Sequence, residues 1–287
     1  MTIEALAVTA AVGAFVGLVS GLLGIGGGVF VVPFLYLLFA SPQWSGVEPT
    51  ADQLAVMAHA TSLAIILPTA LAGIRAHRRS GGLAVRPLLP LGLGAAGFSV
   101  VGAFTAARLP STVLQGAFGI LLLLVGLRLL GVLGRRSESR PAEEDPGASQ
   151  PWSRSGLVAA GGAVGYLSAL LGIGGGVVAI PLLMWGAKVP VERVAGSSLV
   201  VVLFAAVGGV SAYGLLGHGG GPQVSGAWGH VFLPAAMAML PGAVFCAPLG
   251  ARLNRRMNAG TLRRLFGLLL LALGIRLLWT TLASGVG

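Results

Sequence analysis

The chain has 287 residues, of which 55% are apolar and 9% charged, with a mean hydropathy of +0.92; an ordinary soluble domain carries about 25% charged residues. So few charges cannot cover a water-soluble surface, and apolar stretches long enough to cross a hydrocarbon core of roughly 30 Å recur along the whole length. The sequence is therefore that of an all-α polytopic membrane protein. Its formal charge of +10 comes from Arg residues clustered at the ends of apolar segments, where membrane topology requires them, so nucleic acid is not an expected partner.

In chain order the apolar segments run from 5 to 40, 53 to 76, 84 to 107, 113 to 134, 155 to 187, 194 to 217, 225 to 251 and 262 to 283. The first follows Met1-Thr2-Ile3-Glu4, which has no basic n-region. It is too long for a signal peptide and reads as a retained membrane segment. Between the fourth and fifth lies Arg135-Arg136-Ser137-Glu138-Ser139-Arg140-Pro141-Ala142-Glu143-Glu144-Asp145-Pro146-Gly147. Its charge and Pro/Gly content leave it nothing to bury. The expected organisation is a first membrane repeat at 1–134, a linker at 135–154 and a second membrane repeat at 155–287.

The halves are copies. Leu23-Gly24-Ile25-Gly26-Gly27-Gly28 followed by Pro33 recurs 148 residues later as Leu171-Gly172-Ile173-Gly174-Gly175-Gly176 followed by Pro181. The same displacement carries Gly126-Leu127-Arg128-Leu129-Leu130 onto Gly274-Ile275-Arg276-Leu277-Leu278, and Thr61-Ser62-Leu63 pairs with Ser197-Ser198-Leu199 after a loop deletion. Such duplication is the sequence mark of a secondary transporter.

Charge placement decides how the copies are oriented, because cytoplasmic loops collect Lys and Arg. If all eight segments crossed, the basic loop of the first repeat (Arg75, Arg78, Arg79, Arg86) and the linker arginines would lie on one side and Lys188, Arg193, Arg252, Arg255, Arg256, Arg263 and Arg264 of the second on the other. The conflict disappears if one segment per repeat enters and leaves on the same face, making the second copy inverted. The linker and basic loops are then cytoplasmic, the loops near 41–52 and 218–224 are external, and both termini lie outside. Parity does not say which segment folds back. The first of each repeat is the expected one: residues 5 to 40 would extend roughly 54 Å as a straight helix, and it carries the glycine run. Glycines are poor helix formers that allow positive φ, so a hairpin of two part-length helices is expected.

A break at membrane depth exposes backbone N–H and C=O groups and survives only inside protein or against a watery cavity. Helix N-termini after each run would favour an anion, which makes Gly24, Gly26, Gly27, Gly28, Gly172, Gly174, Gly175 and Gly176 the candidate binding site. The competing reading is tight helix packing, which fits Gly13, Gly17 and Gly21 at spacing four. Hydroxyls of Thr61, Ser62, Ser197 and Ser198 could donate to oxyanion oxygens or bond between helices. His59, whose counterpart is Ala195, is either a proton-carrying group or a structural one. Arg128 and Arg276 are explained adequately by snorkelling, with attraction of the anion as the alternative.

No carboxylate falls mid-segment, so a buried Asp/Glu relay for protons or sodium is disfavoured. One cysteine, Cys246, rules out intrachain disulfides and cysteine metal clusters. No cofactor, metal or catalytic set is expected, and the chain does not read as an enzyme.

The doubled Leu-Gly-Ile-Gly-Gly-Gly signature with its Pro, followed each time by a Ser/Thr-Ser-Leu segment, resembles the TauE/SafE sulfite exporter family of bacterial membrane permeases over nearly the whole chain. The resemblance implies export of sulfite or related anions such as sulfonates and sulfoacetate across the cytoplasmic (inner) membrane. An anion channel, or a carrier for another small organic anion, is the alternative. The partners implied are a small anion and the lipid bilayer, and a homodimer is compatible with both.

Overall fold

The structure, a computed structural model, describes residues 1–24, 26–79, 83, 88–132, 152–217, 224–253 and 259–284. The linker, apart from its last three residues, lies outside the described residues, as do Arg86, Arg255, Arg256 and nearly all of the 218–224 loop. Eight described helices are long and apolar enough to cross a membrane. They are α1 (Ile3–Leu23), α4 (Ala51–Arg78), α5 (Leu88–Ala106), α6 (Ser111–Leu129), α7 (Arg154–Leu171), α9 (Val191–Leu216), α10 (Leu233–Leu253) and α11 (Ala259–Ser284). Three shorter helices join them: α2 (Gly28–Phe39), the single turn α3 (Pro42–Ser45) and α8 (Gly176–Trp185).

Local chemistry sets the helix starts. Thr2 Oγ1 accepts from Ala5 N at 3.2 Å, Ser153 Oγ accepts from Gly156 N at 3.2 Å, and Thr50 with Gln53 forms a reciprocal capping box at α4. Each cap occupies an amide that has no partner in the first turn.

The first segment of each repeat is a hairpin with unequal limbs, not two part-length helices. The long limbs, α1 and α7, have 21 and 18 residues, whereas the short limbs, α2 and α8, have 12 and 10. The reason is where the positive-φ glycines fall: they come late in each segment, so few residues remain before the next stop. Each hairpin returns to where it began. A Cβ built on Gly46 would lie 2.9 Å from the Met1 nitrogen, and Trp152 N donates to Gly186 O at 3.3 Å.

The long limbs dock on the opposite half. α1 lies along α10, with Gly13, Gly17 and Gly21 against the backbone of Met239, Ala243 and Ala247, and α7 lies along α5, with Gly161 and Gly165 against Leu91 and Ala95. At every one of these positions a Cβ would run into main chain, so this stripe is for close helix approach. The most buried span, α4, packs on α9 at the centre, while α6 and α11 pair at the periphery. There Ile120, Leu124, Ile275 and Trp279 are exposed, as a lipid-facing surface requires.

One segment departs from its sequence reading. Residues from 225 onward are apolar, yet α10 begins only at Leu233. Ahead of it β1 (Ala227–Trp228) pairs antiparallel with β2 (Val231–Phe232). Gly226 and Gly229 adopt φ of +81° and +59°. This small hairpin tucks into the bundle: Phe232 is buried, and His230 N donates to Tyr213 O at 3.2 Å. Partial burial pushes the His230 imidazole below its ordinary pKa.

Candidate functional site: the paired glycine breaks

Both glycine runs unwind the chain in the same way. Gly24, Gly26 and Gly27 have φ of +70°, +84° and +76°, and Gly172, Gly174 and Gly175 have +66°, +75° and +78°. This left-handed region carries a steric penalty for any residue with a Cβ. Gly24, Gly26 to Gly28, Gly172 and Gly174 to Gly176 are all buried.

The breaks meet back to back. A Cβ on Gly28 would stand 2.5 Å from Gly172 O and 2.7 Å from Ile173 Cα, and Gly26 and Gly174 both face the Val202 side chain. Each break also abuts the long helix of the other half: Gly24 faces Ala195 Cα at 2.7 Å, and Gly172 faces His59 Cα at 2.6 Å, measured from ideal Cβ positions.

Serines bolt this arrangement across the halves. Ser62 Oγ donates to Gly172 O at 2.7 Å, and Ser198 Oγ donates to Gly24 O at 2.7 Å while lying 2.9 Å from Ala195 O. A hydroxyl has one proton, so these two, candidates for gripping an anion, are committed to holding the break carbonyls. Thr61 Oγ1 accepts from Phe232 N at 2.9 Å and so ties α4 to the small β-hairpin. Ser197 is fully buried beside Ser198. A second matched pair acts within each half: Tyr213 OH donates to Ala169 O at 2.8 Å and His77 Nε2–H to Gly21 O at 3.3 Å.

His59 is fully buried, its Nε2 2.6 Å from Tyr36 OH, and its ring lies close to Phe118. Arg128 and Arg276 are exposed, away from the buried breaks. Among the described residues no group of three His, Cys, Asp or Glu side chains gathers to hold a metal.

The break amides are what remains to do chemistry. Phe30 N and Val31 N bond to Gly27 O, and Val178 N and Ala179 N bond to Gly175 O. Among the described residues no acceptor bonds the amides of Gly26 to Val29 or of Gly174 to Val177. They form the positive N-terminal ends of α2 and α8.

Two further groups lie just ahead of the repeated signature that begins at Leu23 and Leu171. Ser20 and Ser168, separated by the same 148 residues, sit in the last turn before each break, buried and with hydroxyls that have no partner. Extending the repeated signature three residues toward the N-terminus would have included both.

A family model described as sulfite exporter TauE/SafE matches residues 9–277. The chain belongs to this family. Relatives named probable membrane transporter proteins align end to end. YunE of Bacillus subtilis is 27% identical across 95% of this chain and 97% of its own length. One from Methanocaldococcus jannaschii is 28% identical across 93% of each chain, and one from Xylella fastidiosa 29% across 99% of each. No solved structure matches the chain. This TauE/SafE protein is accordingly a multi-pass membrane transporter and not an enzyme.

Proposed function

We propose that the protein is a secondary carrier that exports small sulfur-containing anions, sulfite and sulfonates such as sulfoacetate, across the cytoplasmic membrane by alternating access. The observation that carries this reading is the meeting of two buried glycine breaks whose amides have no acceptor among the described residues. Paired helix N-termini suit an anion without any buried Lys or Arg, and glycine lets the ligand come close to main chain.

Topology supports the inverted arrangement. Each hairpin returns to its starting face, which leaves three crossings per repeat. The loops around 75–79, 188–193 and 252–264 then share one side with the linker, which the charge rule makes cytoplasmic, and both termini lie outside. The reciprocal docking of α1 on α10 and α7 on α5 fits two halves that rock over one another. Glu4, Glu48 and Asp52 are exposed, in keeping with transport down an anion gradient or coupled through the substrate's own proton.

The test is counterflow of labelled sulfite and sulfoacetate in proteoliposomes. A carrier accelerates uptake when unlabelled anion is loaded inside; anion flux without that acceleration identifies a channel and overturns the proposal. Gly27→Leu and Gly175→Leu are expected to abolish counterflow while the protein still inserts, because Val16 Cγ1 and Val164 Cγ1 lie 2.7 and 2.6 Å from the added Cβ. Normal transport by these variants would refute the glycine site.

A further inference from the structure

Resting on the reading of the breaks as an anion site, we infer that the hydroxyls of Ser20 and Ser168 are ligands for the transported anion. Each completes one of two equivalent cradles, with the amides of Gly26 to Val29 and of Gly174 to Val177.

The inference starts from burial without satisfaction. Ser20 is 1% exposed and Ser168 0%, and four buried side-chain polar atoms among the described residues have no hydrogen-bond partner. Two of those four are the Ser20 and Ser168 hydroxyls, placed at the same point of a duplicated motif. A buried hydroxyl without a partner carries a desolvation penalty that protein interiors rarely leave uncompensated.

Serine and threonine inside a helix have an easy remedy, the carbonyl four residues back. Thr69 and Thr105 of this chain take it, donating to Ile65 O at 2.7 Å and Val101 O at 2.9 Å. Ser20 and Ser168 do not, although Val16 and Val164 offer the equivalent carbonyls. Each serine instead fronts its own break: Ser20 Cβ lies 3.3 Å from the Cβ position of Gly27, and Ser168 Cβ 3.2 Å from that of Gly175. The glycine thus lets the break pack directly against the serine and against Val16 or Val164, beside amides that also lack acceptors.

The chemistry of the donor set names the ligand class. Amide N–H groups only donate, so they call for a compact anion with several acceptor oxygens. A hydroxyl both donates and accepts, so it can serve an ionised oxygen or a protonated one. A cradle of this composition takes sulfite in either protonation state and takes a sulfonate through its three oxygens, while a bare cation would meet a single hydroxyl oxygen among several N–H donors.

The test uses the purified full-length chain in detergent and in proteoliposomes, with sodium sulfite, methanesulfonate and sulfoacetate as probes. Ser20→Ala, Ser168→Ala and the double variant are compared with Thr105→Ala, at a half-buried position outside the breaks. Each single serine variant is expected to raise the KM for sulfite about 10-fold and the double variant more, with Thr105→Ala unchanged. The melting temperature without anion should stay at or above that of the parent, because no protein partner is lost. A fall in the anion-free melting temperature with KM intact would make the hydroxyls structural and overturn the assignment. If the parent chain transports one of the probes and the alanine variants match its KM, the serine assignment alone falls. If the parent neither binds nor moves any of the three, the transport reading falls and takes the serine assignment with it.

Discussion

The two glycine breaks have the same backbone and different walls. Both unwind through three positive-φ glycines, both have one carbonyl held by a serine of the opposite half, and both carry a buried serine in the preceding turn. Around the second break, however, the opposing helix presents His59, bonded to Tyr36, whereas around the first it presents Ala195. Under the duplication the counterparts of Tyr36 and His59 are Met184 and Ala195. What the halves share is therefore main-chain geometry with its hydroxyl clamps, and what differs is the side-chain lining.

The sharpest way to break the shared part is at the contact between the breaks. Gly28→Ala would put a methyl group 2.5 Å from Gly172 O and 2.7 Å from Ile173 Cα, against main chain that cannot swing aside. It should cost about 3 kcal/mol and much of the folded yield, seen as a lower melting temperature in detergent. Gly97, with nothing within 4 Å of its Cβ position, is the matched control, and Gly97→Ala should be neutral or stabilising by up to about 1 kcal/mol.

The differing part is probed next. Tyr36→Phe leaves His59 Nε2 without its buried partner and should destabilise by about 1 to 2 kcal/mol. The double change Tyr36→Phe with His59→Leu, which makes this wall apolar like its counterpart, should recover most of that loss. Strictly additive losses in the thermal melts would show that the two side chains do not act as a pair.

The smallest effect returns to the symmetric clamps. Ser62→Ala and Ser198→Ala should each cost about 1 kcal/mol of stability, and by similar amounts. A much larger loss at one of them would show that the two breaks are not held equally.

Much of this was legible in the sequence, for stated reasons. Apolar length and the 148-residue displacement mark the spans and the glycine breaks, because lipid and left-handed backbone both constrain residue type directly. The unequal limbs were not legible: apolar composition measures the length of a segment and not where within it the chain reverses. The β-hairpin at 227–232 was hidden likewise, since Trp228, Val231 and Phe232 count as apolar in strand or helix. Among site residues the glycines announced themselves, but Ser62 and Ser198 could not be assigned. Whether a hydroxyl faces a ligand or a carbonyl depends on partners 110 and 174 positions away.

The crossed serine bonds have a mechanical consequence. Because Ser62 of one half grips Gly172 of the other, and Ser198 grips Gly24 in return, the halves are geared like two interlocked hooks. Sliding one half over the other must carry a gripped turn along or release the hook that holds it, so each turn is tied to the position of the opposite half.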